Sequence, residues 1–487
     1  MKKLVALILS LVMVLSLAAC GESTKPTDAP KETDAPKATD APKETDAPKE
    51  TEAQPVEMTE ITFNCTDGTA VKDFWREKIE EFNNTTGKEK GITIVMTEYD
   101  QAGWEAGLEN GTAPDIINVA NVAGYAEKGW IIALSDYAEF DEMLAKNNLV
   151  VEEVSGKSGS SWQGKVYRIG IGSQLFGLAY NKDMFVAAGL VDENGEAKPP
   201  KTLEELREYA KILTDESKKQ FGIVYPGKWG SWFGYEIERL VYDATGRSGY
   251  DWTTGQYDYS NYIPVLETIL GMDDDGSVYP GVDGLDNDPA RARFAEGNIG
   301  MKLCVSWDVG VWNDQFPAKF DWGVAKMPSA SEDESYLTTI NYTYFRGINA
   351  QSVEEKGIEK IAIVYNYLVS DENQRELYER GLQLPIRSEI IETAGEIKEG
   401  LVGWDDFGAL LEVAVALPTA HPTTTTGQVT AKESFLTGVW SRQMSIEDWV
   451  AQRNAIMNQG MIDYKAANPD VDYSRFAADP NFDRTIK

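Results

Sequence analysis

Apolar and polar residues alternate at Ile61, Phe63 and Cys65, and this strand spacing stops at Asp67-Gly68. The period then changes. Val71, Phe74, Trp75, Ile79 and Phe82 share one helical stripe, with Gly87 beyond its end. Ile92 to Met96 reads as a buried strand, and Asp115-Ile116-Ile117 begins another. Thr202-Leu203-Glu204-Glu205 predicts a capping box just after Pro199-Pro200, opening a helix that buries Leu203, Leu206, Ala210 and Leu213. Ile358, Ile361, Ala362, Tyr365 and Leu368 mark a further helix, and Ser445 caps one that carries Ile446, Trp449, Val450 and Ile456. Strand–helix alternation over this length predicts an α/β fold with mainly parallel sheets. In such sheets ligands bind beyond the carboxyl ends of the strands.

The first fifty-six residues follow a different pattern. Met1-Lys2-Lys3 is positive, and Leu4 to Ala19 is apolar apart from serine, the shape of a secretory signal over residues 1–19. It ends in Leu17-Ala18-Ala19-Cys20-Gly21, which resembles a bacterial lipobox. That resemblance implies cleavage before Cys20 and a diacylglyceryl thioether on its sulfur, so the only membrane contact expected is this lipid anchor. From Lys25 the chain reads Lys-x-Thr-Asp-Ala-Pro, with prolines at 30, 36, 42 and 48. There is hardly anything to bury, so residues 20–56 should form a disordered, extended stalk. Its length suits a Gram-positive surface.

Composition narrows the function. The 487 residues contain 79 Asp+Glu against 46 Lys+Arg, a formal charge of -33. Nearly all of it, about -31, falls on residues 57–487. A nucleic-acid partner needs a basic face, so none is expected, and a neutral ligand is easier to accept than an anionic one. His421 is the one histidine, which excludes zinc and iron sites that need two. Asp273-Asp274-Asp275-Gly276 fails the EF-hand, because Val282 falls where the bidentate Glu belongs. The chain carries no Walker loop, Gly-x-Ser-x-Gly elbow or Gly-x-Gly-x-x-Gly. No enzyme activity, metal or cofactor is expected. Tyr225 to Phe233 places Trp229 and Trp232 in a glycine-punctuated turn, where an aromatic is harder to explain as core.

Several stretches are recognisable together. They are Gly111-Thr112-Ala113-Pro114-Asp115-Ile116-Ile117, Ala126-Glu127-Lys128-Gly129-Trp130, Gly177 to Phe185 with Tyr180-Asn181-Lys182-Asp183, Pro200 to Leu206, and Phe294 to Met301 with Ser306-Trp307. Glu354 to Val369 and Gly381 to Arg387 follow. In this order they resemble family 1 extracellular solute-binding proteins, the sugar receptors of ABC importers, and are similar to the maltodextrin-type members. The match thins after about residue 400.

The resemblance implies a two-lobed periplasmic-binding-protein-like fold, each lobe a mainly parallel sheet flanked by helices, closing about a hinge of crossing segments. Crossings are expected near Ile171–Gly177, Met301–Cys304 and Arg346–Ile348. One lobe would comprise 57–172 plus 303–346, the other 173–302 plus 347–487. The implied function is capture of a carbohydrate, a neutral oligosaccharide, for an ABC permease, by a monomer at the outer face of the cytoplasmic membrane. Sugars need flat aromatics for their C–H faces and short polar groups for their hydroxyls. The expected contacts are Trp307, at the family's stacking position, Asp308 beside it, Trp229, Trp232, Asn118, Asn121, Gln174 on the first crossing, and Asp67 closing the first strand. Maltodextrin-type relatives carry an acid where Gln174 stands. The alternatives are a receptor for peptides or polyamines and a surface glycoside hydrolase. Cys65 and Cys304 are expected as buried free thiols, and His421 to Thr426 as a solvated connection.

Overall fold

The computed structural model describes residues 58–147, 159–333, 336–416 and 420–482. The signal, the Cys20 lipidation site and the stalk lie outside the described residues. In chain order the strands are β1 (Thr59–Asn64), β2 (Ile92–Thr97), β3 (Ile116–Asn118), the short hairpin β4 (Ser161–Trp162) and β5 (Lys165–Val166), and the long β6 (Gly172–Asn181). They continue with β7 (Phe221–Ile223), a second hairpin β8 (Tyr250–Asp251) and β9 (Gln256–Tyr257), β10 (Ile299–Val305) and β11 (Trp322–Ala325). The last three are β12 (Thr338–Thr343), β13 (Arg346–Ile348) and β14 (Ala414–Ala416).

Two sheets organise the body. The first has the order β13-β3-β1-β2, the second β14-β12-β6-β10-β7 with β11 also on β6. β1 is parallel to β2 and β3, and β13 closes that sheet antiparallel. The second sheet differs from the expected mainly parallel pairing. β6 runs antiparallel to β10, β11 and β12, and only the outer pairs β12–β14 and β10–β7 are parallel. A buried strand shows the same apolar run whichever way its neighbour points.

The local signals explain the elements. The Thr69–Asn84 helix buries Val71, Phe74, Trp75, Ile79 and Phe82 on one stripe, over Ile61 and Phe63 of β1. Thr202 caps the Leu203–Ile212 helix by accepting from the Glu205 N–H at 3.1 Å. The reciprocal bond goes one residue early, with the Lys201 N–H donating to Glu205 Oε2 at 2.7 Å. Ser445 caps Ile446–Ala467 as its spacing requires.

Sheet membership redraws the expected lobes. β10, β11 and β12 belong to the second sheet, so residues 303–343 leave the first lobe. β13 and the Ile358–Leu368 helix pack with β1, through Ile348, Ile361, Tyr365 and Leu368, so 346–380 join it. Met301–Cys304 is no crossing; it lies inside β10 with every residue buried. The remaining crossing is 381–387, where Gln383 Nε2 donates to the Ile171 carbonyl at 2.6 Å and Ser173 Oγ to that of Pro385 at 2.7 Å. The other two crossings lie side by side, the Arg346 N–H donating to the Ile169 carbonyl at 2.8 Å. Alternating strands and helices carry no mark of which sheet they return to.

The region beyond 420 completes the second lobe. Phe435, Val439, Trp449, Val450 and Met461 share a core with Trp232, Phe233 and Leu240. His421 is buried, its ring stacked on Tyr473 at 5.1 Å and 9°, where a solvated connection was expected. Cys65 and Cys304 are buried and unpaired, and burial pushes the Cys65 thiol up to about 12. Asp273 and Asp274 are ion-paired with Arg442, and Asp275 with Arg207.

Candidate functional site

A cavity of about 290 Å³ opens where the crossings meet the second sheet. Its floor is made by adjacent antiparallel strands: Gln174 on β6 and Ile340, Asn341, Tyr342 and Thr343 on β12. Gln174 and Asn341 are direct cross-strand partners, so both amides rise from the same face of the sheet. An amide donates and accepts, which suits a hydroxyl. Phe345, the turn residues Gly159 and Ser160, Tyr235 and Ala416 complete the lining.

Tyr235 anchors an aromatic wall. Its ring lies 5.3 Å from that of Trp307 and 5.6 Å from that of Trp229, and all three are half-buried. The turn Phe233–Ile237 is π-helical, and this extra residue per turn sends its side chains in different directions. Tyr235 reaches the cavity, while Phe233, Glu236 and Ile237 point into the core. Glu236 meets Lys302 of β10 at 2.7 Å, both fully buried, and desolvation raises the Glu236 carboxyl to about 7. The Trp229 loop is held from the far end of the chain: Lys432 Nζ donates to the carbonyls of Lys228 at 3.0 Å and Trp229 at 2.9 Å.

The structure separates the expected contacts. Gln174 lines this cavity, and Trp307 and Trp229 pack against Tyr235, which lines it too. Trp232 does not line it. It is fully buried among Tyr225, Phe233 and Phe435, because the turn rotates it inward. Asp308 is buried too; Arg291 Nε donates to its Oδ1 at 2.7 Å and the Val305 N–H to its Oδ2 at 3.0 Å, so it serves the fold rather than a ligand. Asp67 is sealed in an ion pair with Arg346 at 2.8 Å, both side chains without exposure. Asn121 caps the Val122–Glu127 helix, accepting from the Gly124 N–H at 3.0 Å, and Asn118 sits half-buried on β3 opposite Arg346. Neither lines the cavity. Sequence reading missed Tyr235 and Phe345. Gly234 beside Tyr235 was the available hint, but ordinary helical periodicity hides a π turn.

The model of the family described as bacterial extracellular solute-binding protein matches residues 67–375. The chain belongs to that family. Among curated relatives of this solute-binding protein is the sn-glycerol-3-phosphate-binding periplasmic protein UgpB of Escherichia coli strain K12, 24% identical over 322 residues, covering 63% of this chain and 69% of the relative. Among solved structures, apo RafE of Streptococcus pneumoniae matches with a TM-score of 0.61 at 18% identity, covering 84% of this chain and all of RafE. The GacH receptor of Streptomyces glaucescens matches at 0.60 and 18%, covering 85% of this chain and 99% of GacH. The fold is thus the two-lobed one of these binding proteins. Among the described residues, no helix is long and apolar enough to cross a membrane.

Proposed function

We propose that this protein is a lipid-anchored receptor that captures a carbohydrate outside the cell and hands it to an ABC permease, making and breaking no bond. The observation that carries the reading is the aromatic wall Trp229–Tyr235–Trp307 set beside the paired amides of Gln174 and Asn341. Ring faces suit sugar C–H surfaces, and the amides suit hydroxyls. Relatives of the same fold support it: RafE has been solved with raffinose, GacH with acarbose, and MalE from Bdellovibrio bacteriovorus with maltotriose. Anchoring through Cys20 and delivery to a permease rest on the lipobox-like sequence and the family. Calorimetry across a saccharide panel tests the reading, together with native mass spectrometry of co-purifying ligand. Saturable binding of an unchanged sugar is expected, with Trp307→Ala weakening it by about 1 kcal/mol or more. A turned-over glycan, or silence across the panel, refutes it.

A further inference from the structure

The charge of the whole chain and the charge around the cavity disagree. With 79 acids in 487 residues, a wall of ten side chains drawn at random would carry one or two. Among the described residues the cavity wall carries none. Two arginines lie behind its lining residues instead, Arg168 buried against Phe345 and Arg239 half-buried on the helix that follows Tyr235.

Arg168 follows β5 and is 8% exposed. Its Nε donates to the Gly159 carbonyl at 2.8 Å, and its Nη1 to the carbonyls of Val119 and Ala120. The guanidinium lies 3.6 Å from the centre of the Phe345 ring. Gly159 and Phe345 both line the cavity. No carboxylate pairs with Arg168 among the described residues, so burial alone lowers it, to about 10, and it stays charged at neutral pH. Among the described residues Nη2 has no hydrogen-bond partner, and it is not among the nitrogens sealed from solvent. It lies 3.0 Å from where a side chain at Gly159 would begin, so a larger residue there would crowd this donor edge.

Arg239 is half-buried one helical turn after Tyr235, with its Cζ 4.7 Å from the Phe176 ring. Its Nε and Nη1 are buried without hydrogen-bond partners. Glu238 and Asp243 are within electrostatic reach, yet neither forms an ion pair with it among the described residues. The Asp243 carboxylate is occupied by Thr338 Oγ1 at 2.8 Å and the Thr339 N–H at 3.1 Å. A buried cation such as Arg168, with no carboxylate paired to it among the described residues, is costly, and an incoming anion relieves that cost. The overall charge of -33 does not oppose this, because at about 0.15 M salt charges act over roughly 8 Å.

We propose that the cavity holds an anion-accepting subsite, with Arg168 as its donor, so that the preferred saccharide carries a carboxylate or phosphate ester. This rests on the carbohydrate reading for the rest of the ligand and replaces the neutral sugar expected from net charge.

Calorimetry on the mature chain tests it with three probes: a neutral oligosaccharide, the same backbone bearing a uronic acid, and sn-glycerol 3-phosphate. The acidic saccharide should bind about tenfold tighter than its neutral match, as a charge-assisted hydrogen bond predicts. That preference should shrink as salt is raised, a readout that needs no variant. Arg168→Met should bring the acidic-to-neutral ratio toward one. Equal binding of the two saccharides, or a preference indifferent to salt, overturns the anion subsite and leaves the carbohydrate receptor standing. Binding of glycerol phosphate with no saccharide binding overturns the carbohydrate reading and keeps the subsite. Silence from all three probes overturns both.

Discussion

Asp243 offers a sharp test of the packing behind the cavity. It sits on the Glu238–Thr245 helix with no exposure, and its carboxylate accepts from Thr338 Oγ1 and the Thr339 N–H of β12, the strand that floors the cavity. Burial outweighs these bonds and raises its pKa from 3.8 to about 7. A raised carboxyl means the native state holds the proton more tightly than the unfolded chain does. The resulting stabilisation is full below the ordinary carboxylate value and is lost as pH rises through the folded value. Between about pH 5 and about pH 8 this one group should remove about 2–3 kcal/mol.

Asp243→Asn removes the titration while keeping the shape. The amide oxygen can still accept from the Thr339 N–H. The amide nitrogen donates to Thr338 Oγ1, whose hydrogen turns to the Phe176 carbonyl, 3.4 Å away. Urea unfolding at the two pH values, for wild type and variant, measures the difference. The variant should lose about 2–3 kcal/mol less than wild type across that range. Parallel losses would refute the argument and show that the carboxylate is ionised in the folded protein at the lower pH.

Two further outcomes follow from the site. Trp232→Ala should cost about 3–5 kcal/mol of folding free energy, read from the urea midpoint, because it empties a fully buried position; a loss under about 1 kcal/mol would contradict its place in the core. Lys432→Met should speed amide exchange over residues 226–232 about tenfold in the ligand-free protein, since two loop carbonyls lose their shared ammonium donor. Unchanged exchange there would mean the turn holds itself.

Local chemistry was legible before any coordinates. The stripe Val71, Phe74, Trp75, Ile79 and Phe82, the Thr202 and Ser445 caps and the family motifs depend on neighbours within one or two turns, and each appears where its spacing required. The positions of Trp307 and Gln174 beside the cavity-lining strands and Tyr235 follow from motifs that are also local. Asp308, Asp67 and Trp232 misled for one shared reason. A polar or aromatic residue at a strand end or in a turn looks free until its partner is known, and Arg291, Arg346 and Phe435 lie 17, 279 and 203 residues away.

Tertiary structure decided the rest. It assigned β10 to β12 to the second lobe and β13 to the first, since pairing is a relation between distant segments. It set the extra residue of the π turn that aims Tyr235 at the cavity, and folded residues beyond 420 back to hold the Trp229 loop. It also decided the electrostatics. The sequence by itself determined how much charge this protein carries, and its acidity held through every count. Where that charge acts depends on which side chains share a few ångströms of desolvated space, and there Arg168 lies against the Phe345 ring that lines the cavity.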